Sequence, residues 1–346
     1  MGAEQKDRIS KYLSPRIRDM MFAELSDDYL ERTGSEEILA GTAVPVNTEA
    51  SDGEGGIDVR NIVLDMARVI GGDPLFVYAD RYTRFIRHAA GENAVPMLVA
   101  EGARSADAGD PEDACMLLRA ALRLEPESRE ALYLYARACK DCHEREAEAF
   151  ENGSGDAEKA GMFKAESMET FELLTMMHPD FAMGYYFLGY AYLNMGLYLK
   201  AQLTWKDFLR YSSGSGTDLN EMDDDMLAAL RDDISQRVDE LTDPVEIERG
   251  CNMIMSGDFQ GGKAVLDRYR EGSYSAWWPL WYYLGTAESA LGHSSEAADC
   301  YRRVLAISPS NTEAMEELAA IYAMSGDEEN ASKYRKKIEI IRNRED

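Results

Sequence analysis

Two stretches of the chain repeat one spacing of large, small and apolar positions. In each, a large aromatic is followed by Leu at +3, Gly at +4, Ala at +16 and a second aromatic at +20. The first runs Tyr185, Leu188, Gly189, Ala201, Trp205; the second runs Trp281, Leu284, Gly285, Ala297, Tyr301. An aromatic and a Leu one turn apart make one apolar stripe on a helix. Gly and Ala carry little or no side chain, so a second helix can approach closely there. A closing proline such as Pro309 cannot donate its N–H and ends that second helix. One such pair cannot bury its own face, so neighbouring pairs must stack.

This spacing resembles the tetratricopeptide repeat (TPR), a helix–turn–helix unit of about 34 residues. Further units fall into the same frame. Residues 95–128 hold Leu98, Gly102, Ala114, Leu118, Ala121 and Pro126, and residues 182–215 form the clearest unit after them. Residues 243–277 keep Gly250, Gly257 and Leu266 but lose the closing proline. Residues 278–311 follow the pattern with Glu288 in place of the usual aromatic, and 312–345 keep Met315, Leu318, Ala319, Tyr322, Gly326 and Ala331. Residues 57–91 read as a degenerate pair turning at 71–74, with Pro74 suited to a first helical position. The resemblance implies an all-α fold: an α-solenoid of antiparallel helix pairs, a TPR-like superhelix, with an extra long helix between two modules.

The departures from the repeat set the expected domain organisation. Pro126 and Pro179 lie 53 residues apart, well beyond the about 34 of one repeat. The excess carries Ala/Glu-rich flanks around Asn152-Gly-Ser-Gly155, which reads either as an elongated helical hairpin over 129–181 or as a flexible loop. In the stretch 216–242, Met222, Met226, Leu230, Ile234 and Val238 recur every four residues among Asp and Arg, predicting a single acidic connecting helix. It would separate an N-terminal TPR-like module at 57–215 from a C-terminal one at 243–346. Ahead of these, 41–56 is rich in Gly and acids and reads as a flexible linker. Residues 1–40 read as a helical segment, with Ser14-Pro15 as a helix start and Ile17, Met21 and Leu25 as a weak stripe. That segment either docks on the solenoid or remains a partly ordered tail.

Charge narrows the partners. Lys and Arg number 37 against 64 Asp and Glu, a formal charge of −27. Such a surface repels phosphate backbones, which argues against nucleic acid and anionic membranes as main partners. No run of about eighteen apolar residues offers a membrane-inserting helix. The first dozen residues carry charges where a signal peptide needs an apolar stretch. A Met-Gly start has Lys6 where an acylation motif wants Ser or Thr. The expected location is the cytoplasm.

One motif carries candidate chemistry. Cys139-Lys-Asp-Cys142-His143 matches the pattern of covalent c-type haem attachment. A redox or metal protein using Cys139, Cys142 and His143 is therefore the alternative function. Against it, Cys139 falls at a buried packing position of a repeat helix, where a free thiol behaves as a small hydrophobe. A structural zinc site wants four ligands, and no second Cys/His pair lies near in sequence. No nucleophile elbow, P-loop or zinc-protease motif is present. The expectation is a non-enzymatic chain without a cofactor.

The TPR resemblance implies binding along the groove lined by the first helix of each pair. Its groove positions fall on Tyr133, Arg137, Lys140 and Asp141, then on Met183, Tyr186, Tyr190, Leu193 and Asn194. Aromatic surface, an amide and two cations suit a protein or peptide segment bearing an acidic group or C-terminus. The tyrosines equally suit a packed core. In the later repeats the same positions fall on Tyr282 and Thr286, then Glu313 and Glu316, an acidic lining. The Lys, Asn and Arg set that clamps chaperone C-termini in some TPR proteins is absent, with Val99 and Ala103 at two of its positions. The function expected is a scaffold or adaptor.

Overall fold

A computed structural model describes residues 7–18, 20–46, 58–213, 219 and 222–345. The chain divides into two compact units. The first holds residues 1–191 and 207–224, and the second holds 192–206 and 225–346. Helix pairs dominate both, and among the described residues the fold is all-α apart from one two-stranded antiparallel sheet.

The first unit opens with a short helix, α1 (Ser10–Leu13), and a 3-10 turn, Ser14–Ile17. Strand β1 (Met21–Glu24) follows, then α2 (Asp27–Thr33), α3 (Glu36–Leu39) and β2 (Ala43–Val46). The antiparallel strands pair Met21 with Val46 and Glu24 with Ala43. Two expectations change here. The Ile17–Met21–Leu25 stripe is not one helix, because Met21 lies in β1, where ladder hydrogen bonds with β2 outweigh a weak helical spacing. The start of the 41–56 linker is an ordered strand, its Val44 packed against the buried core. Residues 47–56 of that linker lie outside the described residues.

Four helix pairs follow along the chain. They are α4 (Val59–Gly72) and α5 (Ala79–Ala90), α6 (Ala94–Asp107) and α7 (Pro111–Leu124), α8 (Arg129–Glu151) and α9 (Ala157–Met177), and α10 (Ala182–Leu193) and α11 (Tyr198–Tyr211). Next comes α12 (Asp224–Glu240), and then α13 (Thr242–Met255), which packs against α14 (Phe259–Leu266). Side-chain caps begin many of them: Asp110 accepts from the Asp113 N–H, Ser128 from Ala131, and Asp156 from Glu158 and Lys159. Pro111 occupies the first turn of α7. Pro74 instead lies in the turn before α5, which starts five residues later.

The stretch between Pro126 and Pro179 forms two long antiparallel helices. At 23 residues, α8 is about 35 Å long. Its turn to α9 places Gly153 at φ +82°, a conformation that favours glycine. Near this end, Lys159 Nζ lies 2.8 Å from Glu112 and 2.9 Å from Glu146, tying α9 to α7 and α8.

The second unit continues with α15 (Trp278–Ala290), α16 (Ser294–Ile307), α17 (Thr312–Met324) and α18 (Glu328–Glu345). The stretch expected to be an acidic connector holds α12, which from residue 225 belongs to the second unit and buries Ile234 and Val238. The division between units falls inside α10 and α11 rather than between 215 and 243. Contacts made by α11 account for it: Gln202 Nε2 donates to the Val238 carbonyl at 3.1 Å, and the Leu199 N–H donates to Glu248 at 2.9 Å. Glu288, the substitute for an aromatic, is buried beside two cations and a histidine. Lys263 and Arg270 lie 3.4 and 3.5 Å from it, and His293 Nδ1 lies at 2.8 Å. Those partners compensate the cost of burying its charge. Among the described residues, no helix is long and apolar enough to cross a membrane.

Small residues set the separation within pairs. A Cβ on Gly285 would stand 2.9 Å from the Tyr301 ring, one on Gly102 would stand 2.7 Å from Leu118 Cγ, and one on Gly250 2.7 Å from Leu266. At Gly71 the obstacle is backbone: a Cβ would meet the Met116 carbonyl oxygen at 1.8 Å. Gly71→Ala should therefore destabilise the first unit by about 2 kcal/mol or more in chemical denaturation. Gly161→Ala, on an exposed position of α9 with open space around it, should stabilise by about 0.5–1 kcal/mol in the same measurement.

Candidate partner-binding face

The groove positions of the first unit gather around an aromatic cluster. Tyr133 of α8 meets Phe181 edge-on at 5.1 Å between ring centroids and lies 6.0 Å from Phe187 of α10. Phe187 stacks on Phe171 of α9 at 5.5 Å. Tyr186 stands edge-on to Phe187 and to Tyr190, each at 5.1 Å, and lies 5.6 Å from Phe208 of α11. Tyr186 and Tyr190 stand one turn apart on α10 and share one face of it.

Burial distinguishes core from surface within this cluster. Phe171, Phe181 and Phe208 are buried, whereas Tyr133, Met183, Tyr186, Phe187 and Tyr190 are half-buried. The tyrosines thus pack on the core and also present surface. Arg137 is exposed, and its guanidinium lies 5.6 Å from the Tyr133 ring and 5.5 Å from Phe187. A cation over two ring faces is held by their quadrupoles while keeping its N–H groups toward solvent. Lys140 is half-buried, and its Nζ is 2.7 Å from Glu144 of the same helix. An acidic ligand would compete with Glu144 for Lys140 and would meet Arg137 directly. Asp141 beside them has its carboxyl pushed up from the usual range by burial, against the pull of Lys140 and Arg137.

Phe181 and Phe187 were absent from the groove positions that the repeat implies. Phe187 falls between two groove positions, and only the packing of α8 against α10 turns its ring toward Arg137. The adjacency of Tyr186 and Phe187 in sequence was the available signal.

The remaining groove residues lie in the second unit. Asn194 is exposed just past α10. Tyr282 is half-buried among Trp278, Tyr283 and Tyr301, at 6.3, 6.0 and 5.7 Å. Burial raises its hydroxyl pKa, and Glu317, Glu313 and Glu316 add to the rise. The surroundings of Tyr282 are therefore acidic.

The haem-like motif points elsewhere. Cys139 and Cys142 are buried and face Cys115 of α7, with Sγ separations of 3.6 Å from Cys115 to Cys139 and 4.0 Å from Cys115 to Cys142. Burial pushes the Cys115 and Cys139 thiols above the ordinary thiol range, the opposite of what a reactive thiolate needs. His143 is half-buried and donates its Nδ1–H to the Ala160 carbonyl at 3.0 Å. Side chains from α7, α8 and α9, with Ile9 and Leu13, pack around these cysteines in one apolar cluster. Among the described residues, no group of three or more His, Cys, Asp or Glu is arranged to hold a metal ion. The motif is a packing element of the first unit.

His143 supplies a pH test of that packing. Burial, the largest cause, holds its pKa below the ordinary 6.5, partly offset by the hydrogen bond to Ala160. The unfolded chain therefore takes up a proton near its ordinary pKa while the folded chain does not. Folding stability is fullest above that range and falls as the pH drops through it toward the folded pKa. In His143→Gln this part of the decline should be missing from denaturation midpoints measured between pH 7 and 5.

One comparison with known proteins bears on the helix pairs of the second unit. Residues 278–321, spanning α15, α16 and most of α17, match the model of the tetratricopeptide repeat. No curated protein sequence matches the chain. Among solved structures, MamA from Desulfovibrio magneticus RS-1 is 14% identical, covering 75% of this chain and 99% of its own, with a TM-score of 0.28. A human IFIT1 dimer is 14% identical, with 80% and 54% covered and a TM-score of 0.32. The Cut9–Hcn1 hetero-tetramer of the APC/C is 12% identical, with 82% and 50% covered and a TM-score of 0.30. The spacing of Trp281, Leu284, Gly285, Ala297 and Tyr301 is thus that of a tetratricopeptide repeat, and the chain resembles the proteins built from it.

Proposed function

We propose that this chain is a non-enzymatic interaction scaffold that holds a peptide segment of a partner protein on the α8–α10 face of its first unit. The observation that carries this reading is Arg137, exposed over the rings of Tyr133 and Phe187, beside the half-buried Tyr186 and Tyr190. Aromatic surface takes apolar side chains of the segment, and Arg137 takes an acidic side chain or a terminal carboxylate. Lys140 contributes once its contact with Glu144 is exchanged for one with the ligand. Met183 adds a soft contact at the margin. Such a face anchors a segment through a few residues, as interface hot spots rich in Tyr and Arg do. The tetratricopeptide repeat at 278–321 supports a role in protein interaction. Asn194 and Tyr282 belong to the second unit, where the acidic surroundings of Tyr282 favour a different, basic contact.

Arg137→Glu reverses the exposed charge without emptying the core, so helicity should stay intact. Captured partner should fall at least tenfold in quantitative pull-down, a loss of about 1.4 kcal/mol or more. Tyr186→Ala with Tyr190→Ala should abolish capture in the same assay, with circular dichroism still helical. Undiminished capture by folded Arg137→Glu would exclude this face, and lost helicity in the tyrosine variant would assign those rings to the core.

A further inference from the structure

The first unit carries a second occupied surface, on the other side of α8. Residues 7–18 lie across it. Ile9 and Leu13 are wholly buried and Ile17 nearly so, a stripe at spacing i, i+4, i+8. Ile9 and Leu13 pack into a cluster of Cys115, Met116 and Leu118 from α7, Tyr135, Cys139 and Cys142 from α8, and Phe163 from α9. Tyr12 lies 6.2 Å from the Phe163 ring. Ile17 reaches the end of α4, where a Cβ on Gly72 would stand 2.6 Å from its Cδ1.

Charge matches along the same segment. Residues 7–18 carry four cations, Arg8, Lys11, Arg16 and Arg18, against the single acid Asp7, within a chain whose total charge is −27. Arg8 pairs with Glu169 at 2.5 Å and Glu166 at 3.4 Å, both on α9. Lys11 pairs with Glu158 at 2.7 Å, and Arg16 with Asp110 at 2.5 Å and Glu112 at 3.1 Å. In the other direction, Arg119 of α7 reaches Asp7 at 2.9 Å, donates to Ser10 Oγ at 3.0 Å and holds the Gly71 carbonyl at 2.7 Å.

A four-residue helix and a 3-10 turn are too short to persist alone. Their order comes from the surface beneath, which reads two aliphatic anchors one turn apart and flanking cations. That is recognition of an amphipathic helix in a groove. We infer that the surface formed by α4, α7, α8 and α9 is a binding site for a short basic amphipathic helix, filled here by residues 7–18 and taken by the corresponding helix of a partner protein when those residues leave. The inference stands apart from the proposed function. Tyr135, Cys139 and Cys142 face this site, while Tyr133 and Arg137 belong to the aromatic cluster on the other side of α8.

The covered thiols report occupancy. In the full-length chain, Ile9→Asp with Leu13→Asp should expel the segment, and native-state maleimide labelling of Cys139 and Cys142, located by mass spectrometry, should accelerate at least tenfold. A fluorescein-labelled synthetic peptide of residues 7–18 should then bind this variant saturably, at least tenfold tighter than a scrambled peptide, and restore thiol protection. The wild-type chain, its site filled, should take up far less peptide. A folded variant that binds no peptide, or a wild-type chain that binds it equally well, would overturn the inference. Full-length Arg8→Glu with Arg16→Glu leaves every apolar contact in place and decides the matter should the Asp variant not fold. Its labelling and peptide uptake should both rise several-fold, and wild-type values for both would also overturn the inference.

Discussion

The close approach of paired helices at small residues is the constraint on which both units depend. Gly102 under Leu118, Gly250 under Leu266 and Gly285 under Tyr301 each leave no room for a methyl group. At these points the large residue of one helix fills the space that the glycine leaves on the other, which is how interiors reach crystal-like density. Gly71 takes this furthest, with the Met116 carbonyl itself against it. That contact brings α4 against α7. Beside it, Arg119 is positioned to hold the Gly71 carbonyl and Asp7 at once.

The two faces of α8 follow from that packing. A helix of this length passes between neighbours on both sides, and its residues sort by angle. Tyr133 and Arg137 turn toward α10, where aromatic rings are half-buried and a cation stays in contact with water. Tyr135, Cys139 and Cys142 turn toward α7 and α9 and are covered by the N-terminal segment. The sulfur atoms sit together in a tight apolar layer, and burial pushes the Cys115 and Cys139 thiols up. Spacing that suggests a ligand set in one dimension proves to be a packing surface in three.

The helix pairs were legible because their signal is local. Leu284, Gly285 and Ala297 each constrain a contact within one repeat, so spacing alone announces them. The all-α fold and the repeat at 278–321 follow from such spacings. The ends of the pattern were less legible. Ile17, Met21 and Leu25 have helical spacing, yet Met21 pairs with Val46 in an antiparallel sheet, a partner 25 residues away. Phe187 joins the candidate face only through a neighbouring helix, and nothing in its own position says so.

Sequence by itself determined the paired helices, their small-residue contacts and the acidic balance of the chain, because each depends on residues near one another or on composition. Tertiary structure alone decided where residues 7–18 go, which side chains cover Cys139 and Cys142, and which cation stands over Tyr133. Those outcomes depend on groups far apart in the chain, such as Arg8 with Glu169 and Asp7 with Arg119. Local periodicity carries no information about such distant partners, since they meet only after the pairs have packed.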